Sequence, residues 1–335
     1  MTDLRIGTNL PLQGVPLVEH RAVLARLRAA GFTDAWSNEY NRGDGAVSLA
    51  AFAAWDDEVN LVSGIVNVAT RGPALLAMTA AGLADLAPGR VTVGLGTSSV
   101  VPVAKWNGMA ADQPYTRMRE SLEFLDVVLA GERDPGGHDL IRTEGFQLAD
   151  RPAVPPRIGI AALGPRMQRL AATHADSLIT GFLAADDLDR VRANTGSVER
   201  TRTAPFEILV GVFVLPPMAE DDAELDARRC IAQYFNTPPY AAQQRWLGRT
   251  DELTPMWEHW AARDRRGAVA AIPAGVVDDM VVRGSVAACA ARIRKYYDAG
   301  VAGLNLMIAP TRTPVPAETQ LAFLCDLAAE LQGTR

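Results

Sequence analysis

Histidine and cysteine are scarce in this chain of 335 residues, and each scarcity removes a class of function. The four histidines, His20, His138, His174 and His259, show no H-x-x-x-H or H-E-x-x-H spacing, so the sequence carries no metal-ligand pattern. The three cysteines, Cys230, Cys289 and Cys325, lie far apart with no C-x-x-C pair. A sparse, odd set of this kind reads as buried free thiols in a reducing compartment, hence a cytoplasmic protein, not as a disulfide frame. Basic charge is short as well: 33 Lys and Arg stand against 39 Asp and Glu, a formal net charge of -6. With no basic cluster, no nucleic-acid surface is expected. No apolar run reaches membrane-spanning length, and no basic-then-apolar leader opens the chain; neither a membrane span nor a secretion signal is expected. A G-x-S-x-G elbow and a P-loop are also missing.

What is present is an alternation. Short apolar runs are followed by stretches of helical period about eight times, from Leu4–Leu10 through Val91–Gly96 to Gly303–Ala309. Parallel strands need helical crossovers, so this rhythm predicts an α/β fold. Eight units over this length fit a closed (β/α)8 TIM barrel better than an open doubly wound sheet. The whole chain, 1–335, reads as one such barrel. Two segments break the rhythm: about 131–156, where a hairpin around Thr143-Glu144-Gly145 is expected, and about 236–282, which reads as irregular.

The stretch Gly94-Leu95-Gly96-Thr97-Ser98-Ser99 imitates the start of a dinucleotide fingerprint. The third glycine is replaced by Ser99, and Val100 to Gly108 reads as extended loop instead of an opening helix; the Rossmann reading is therefore weak. In a barrel the loops at the strand C-termini build the site. The polar residues expected there are Asn9, Asn38 with Glu39, Tyr40 and Asp44, then Gly64-Ile65 with Asn67, Gly96-Thr97-Ser98, and Gly164-Pro165-Arg166-Met167. Pro165 suits a helix's first turn, and the free amides beyond it with Arg166 would favour an anion, though an ordinary capped helix is an equal reading. Glu39 and Asp44 could exchange a proton, or could simply pair with Arg42 or Arg71. Gly64-Ile65 allows close backbone approach. Trp106, in a glycine-flanked loop, is the one tryptophan placed at the mouth; the others read as packing residues. Pro238, Pro239, Tyr240, Trp257 and Trp260 could roof an apolar pocket or merely pack.

Taken in order, "GFTDAWSNEY", "NLVSGIVNVATRGPALLAMTAAGLADLAPGRVTVGLGTSS", "KWNG", "AALGPRMQRLAATHADSLITG" and "AGVAGLNLMIAP" resemble the bacterial-luciferase-like oxidoreductases. "GTSS" and "WNG" make the coenzyme F420-dependent (deazaflavin) branch the most similar. The resemblance implies a (β/α)8 barrel, a homodimer, and an isoalloxazine-type ring at the strand C-termini. It implies a non-proline cis peptide at Gly64–Ile65 behind that ring, with Asn67 just beyond. Gly96, Thr97 and Ser98 would approach the ring or ribityl chain, and Gly164, Pro165, Arg166 and Met167 would hold the phosphate. Glu39, Tyr40 and Asp44 are the implied catalytic positions, with Asn9, Asn38 and Trp106 facing a small-molecule substrate. Several relatives have Asp-His where Glu39-Tyr40 stands, which leaves the acid–base roles open. The implied reaction is hydride transfer. The alternatives are an FMN-dependent monooxygenase fed by a partner reductase and a cofactor-binding protein without turnover.

Overall fold

A computed structural model describes residues 4–333. The chain begins with β1 (Ile6–Asn9), α1 (His20–Ala29), β2 (Asp34–Ser37), α2 (Gly45–Trp55) and β3 (Asn60–Ser63). After the short β4 (Val66–Asn67) come α3 (Pro73–Leu86), β5 (Val91–Gly96) and α4 (Pro114–Leu129). The alternation resumes with β6 (Arg157–Ala161), α5 (Pro165–His174), β7 (Ser177–Gly181), α6 (Leu188–Thr195) and β8 (Glu207–Val214). The helices α7 (Glu220–Phe235), α8 (Pro238–Trp246), α9 (Thr250–Ala261), α10 (Arg265–Ala270) and α11 (Ala274–Met280) then follow in succession. The chain closes with β9 (Val281–Val282), α12 (Val286–Asp298), β10 (Gly303–Ile308) and α13 (Ala317–Gly333).

All pairings are parallel in the order β10-β1-β2-β3-β5-β6-β7-β8, and β10 pairs β8 to close the ring. The expected (β/α)8 barrel is therefore the observed fold. Helix boundaries follow local chemistry: Pro73, Pro165 and Pro238 sit in first turns, where a missing N–H costs nothing. Gly31 and Gly300, each with positive φ, follow the ends of α1 and α12, as glycine does without a Cβ penalty.

The barrel interior is centred on Trp36, which is 1% exposed and packs with Val62, Ile179 and Leu209. Its ring occupies the space that a Cβ at Gly7 or Gly64 would claim, 2.3 and 2.6 Å away. Below it, Arg5 joins Asp34 and Glu207 at 2.9 Å each, and Arg157 joins Glu207 at 3.0 Å. This ionic plug seals the N-terminal end, and burial pushes the Asp34 carboxyl above its usual range.

The non-proline cis peptide implied at Gly64–Ile65 is present; β3 and β4 flank it, and β4 pairs only β5. Three local expectations are corrected. No hairpin forms in 131–156; Asp134 exchanges backbone hydrogen bonds with Gly145 and Phe146 and the pairing stops. The amides of Asp139, Leu140 and Ile141 donate instead to the buried carboxylate of Glu120 on α4, so a side chain takes the place of a partner strand. Residues 236–282 are not irregular but hold α8 to α11 and β9; prolines 238, 255 and 273 hide these helices by interrupting the period. The stretch after Ser99 is not extended either, since Val101–Trp106 winds as a π-helical turn. Cys230 and Cys289 are buried as expected, whereas Cys325 is only half-buried.

Candidate active site

The strand C-termini of the barrel form a mouth whose floor is largely glycine. Gly64, Gly96, Gly181 and Gly211 all point inward at this level, by the pleat they share with Trp36, Gly94, Ile179 and Leu209. A Cβ at Gly96 would lie 2.5 Å from Ile65, and one at Gly211 would lie 2.8 Å from Met307. The side chains of Ile65 and Met307 therefore lie over the glycines and line a shallow, apolar floor. Thr97 is half-buried beside it, and Ser98 is exposed with φ of 54°. Asn9 stands at the same level and accepts from Asn305 Nδ2 at 3.0 Å.

One rim, built by the ends of β2 and β4, is ionic. Arg71 donates from Nε to Glu39 at 2.6 Å and from a terminal nitrogen to Asp44 at 2.6 Å. The second oxygen of Glu39 accepts the Asn67 N–H at 3.2 Å. Asp44 is also the N-cap of α2, accepting from Ala46 N and Val47 N, which satisfies two otherwise orphaned amides. Asn67 turns its side-chain oxygen to Ala69 N at 2.8 Å. Both acids are thus engaged, and of the two cations considered for them Arg71 is the partner; Arg42 bonds Gln13. Asn38 is exposed at the rim. A cleft of about 210 Å³ opens here between Glu39, Tyr40, Asn67, Thr70 and Asn107.

Tyr40 has no hydrogen-bond partner among the described residues; its ring meets that of Trp106 edge-on at 5.1 Å. The two are 59% and 48% exposed, a half-open aromatic flap over the cleft. Across the mouth, α5 starts at Gly164 with no side-chain cap, leaving the amides of its first turn available. Arg166 lies with its guanidinium 3.8 Å from the centre of the Tyr115 ring and pairs with no carboxylate among the described residues. A helix N-terminus with an arginine that pairs with no carboxylate favours negative charge beside it.

The opposite rim is aromatic. Phe182, Phe213, Tyr234, Phe235 and Tyr240 form one cluster, with neighbouring ring centres 4.7–5.6 Å apart. Two adjacent glutamines fix it over the barrel: Gln243 donates to Gly181 O at 2.9 Å and Gln244 to Phe182 O at 2.8 Å. Of these rings only Tyr240 is singled out by the sequence. Tyr234 and Phe235 escape notice because they close a long amphipathic helix, where aromatic residues normally pack. Phe213 lies inside an apolar strand run and Phe182 just past the end of β7, and neither carries a signal. The larger groove of about 760 Å³ lies outside the barrel between α1 and α13, and its Arg26 and Glu318 pair with each other. Among the described residues no cluster of His, Cys, Asp and Glu could hold a metal ion, and no helix is long and apolar enough to cross a membrane.

A model of the luciferase-like monooxygenase family matches residues 4–303. The chain belongs to that family. The 5,10-methylenetetrahydromethanopterin reductase of Methanolobus tindarius is 25% identical over 307 residues, 87% of this chain and 90% of the relative. The F420-dependent glucose-6-phosphate dehydrogenase of Nakamurella multipartita is 32% identical over 139 residues, 39% of this chain and 40% of the relative. In fold, the coenzyme F420-dependent tetrahydromethanopterin reductase of Methanopyrus kandleri superimposes with a TM-score of 0.70 at 18% identity, covering 97% of this chain and 98% of the other. The resemblance noted in the sequence and the expectation of an oxidoreductase are both borne out by family membership.

Proposed function

We propose that this protein is a coenzyme F420-dependent oxidoreductase exchanging a hydride with a small organic molecule at the barrel mouth. The observation that carries the reading is the glycine floor set beside an uncapped helix N-terminus. A flat ring fits the first, a phosphate fits the second, and both belong to a chain whose relatives include proteins named for F420. When bound, the deazaflavin supplies or accepts the hydride; it carries carbon where a flavin carries nitrogen five and does not readily activate oxygen.

The chain's own residues do the remaining work. Ile65 backs the ring, with Asn67 beyond it. Gly96, Thr97 and Ser98 admit the ring edge and ribityl chain. The amides following Gly164 and Pro165, at Arg166 and Met167, receive the phosphate with the Arg166 guanidinium. Trp36 and the ionic plug exclude water from below, which strengthens every polar interaction above them. Glu39 and Asp44 act through Arg71, as an ionic frame that holds the β2 and β4 loops. Tyr40, having no partner, is the group of the three positioned to give or take a proton. Asn9, Asn38 and Trp106 face the substrate. The exposed apolar residues Val47, Leu75, Met78 and Leu86 on α2 and α3 are the surface of a homodimer. The protein works in the cytoplasm, its F420 recycled by a separate cofactor-reducing enzyme.

The test is a titration of apo-protein with F420 and, in parallel, with FMN, read by intrinsic fluorescence, for wild type and Arg166→Ala. F420 is expected to bind tighter, and the substitution to weaken it about tenfold or more, the worth of charge-assisted hydrogen bonds. A preference for FMN would instead make the protein the oxygen-using monooxygenase of its family's description. Binding of neither would remove the cofactor reading.

A further inference from the structure

The aromatic rim contains two polar atoms that no described residue uses. The hydroxyls of Tyr234 and Tyr240 make no hydrogen bond among the described residues, although both rings are largely enclosed by Phe182, Phe213 and each other. A phenol enclosed in this way normally finds a partner. Neither oxygen is fully sealed, since neither is among the buried, unpartnered polar atoms of the described residues. Each therefore keeps some accessible surface.

The cluster stands at the strand C-termini, where Gln243 and Gln244 tie α8 to Gly181 O and Phe182 O and Met307 lies over Gly211. Burial raises the Tyr234 hydroxyl above its usual range. Burial likewise pushes Tyr240 up to about 12. Both groups stay protonated at neutral pH and can donate. No cation reaches them: the Arg–ring contacts among the described residues fall on Tyr115, Phe206, Trp257 and Trp260. Arg228 on α7 is bound to Glu224, and Arg249, between α8 and α9, to Asp187 with Asp279.

We propose that Tyr234 and Tyr240 form the substrate anchor, donating hydrogen bonds to an oxygen of a neutral, largely apolar molecule whose body packs beside Met307 and the two partly buried phenol rings. The chemistry favours a ketone, aldehyde or similar carbonyl compound over a phosphorylated or carboxylated one. An anion would have to leave water for a rim with no counter-charge. The word substrate rests on the oxidoreductase reading above; the binding claim does not.

The experiment uses three fluorine-labelled probes of one shape, followed by fluorine NMR on the full chain without cofactor: 4-fluoroacetophenone, 4-fluorotoluene and 4-fluorophenyl phosphate. Wild type is compared with Tyr234→Phe, Tyr240→Phe and the double variant, which keep the rings and so the packing. The ketone is expected to bind best and the phosphate worst. The double variant is expected to lose about tenfold in ketone affinity with 4-fluorotoluene unchanged. Three results would overturn the anchor: tighter binding of the phosphate, ketone affinity indifferent to both hydroxyls, or equal losses for ketone and toluene. The F420 titration separates the two readings, because it can fail while the ketone response stands, and the reverse.

Discussion

On the β2–β4 side of the barrel mouth every carboxylate is already occupied, Glu39 by Arg71 and an amide, Asp44 by Arg71 and a helix end. On the β7–β8 side two phenols lie among aromatic rings with no hydrogen-bond partner among the described residues. The first rim spends its polar groups on holding two loops in place. The second leaves its polar groups for something that arrives. A charged residue at a mouth is therefore no guide by itself to chemistry: the question is whether its hydrogen-bonding capacity is consumed within the fold.

The comparison can be broken most forcefully through the aromatic side. Phe182 is buried and touches four other rings of the cluster. Phe182→Ala is expected to cost about 3–5 kcal/mol of stability by urea unfolding, the range for aromatic truncation in a core. A loss below 1 kcal/mol would mean that the cluster is loose and organises nothing. Next in size is Arg71→Leu, which strands Glu39 and Asp44 together without a cation. Their partial exposure softens the full penalty of a broken buried pair, so about 2–3 kcal/mol is expected, and a restoring second change, Glu39→Gln, should recover part of it. If the single change proves silent, the ionic rim is ornamental and its acids return as candidates for catalysis.

The smallest effect sharpens the contrast. Removing both unpartnered hydroxyls by Tyr234→Phe and Tyr240→Phe should leave stability at neutral pH within about 0.5 kcal/mol, since no internal hydrogen bond is lost. A difference should emerge only in alkali. An unfolded tyrosine ionises near pH 10, whereas folded Tyr240 holds its proton to about 12. Between these values the unfolded state binds fewer protons, so wild-type stability falls as pH rises, and the double variant should show a shallower fall. Identical slopes would place the Tyr240 hydroxyl in water.

Much of this was readable from sequence, and the unread parts share a cause. The strand–helix rhythm, the proline-started helices and the mouth residues are encoded in local order. Trp36 was recognisable as packing but not as the barrel's central plug, because its neighbours Gly7 and Gly64 come from other strands. Glu120 gave no sign that it would replace a partner strand for residues 139–141, about twenty positions away. The prolines of 236–282 concealed four helices by breaking the period that normally reveals them.

The sequence by itself determined the alternation that forces parallel strands, the barrel that follows, and which loops would meet at its mouth. These depend on hydrophobic period and turn chemistry, both local properties. Only the tertiary structure decided that Glu39 and Asp44 share one arginine, that Arg166 lies on Tyr115, and that Tyr234 and Tyr240 stand without partners. Whether a polar group is consumed or left open depends on what lies beside it in space, and those neighbours come from distant parts of the chain.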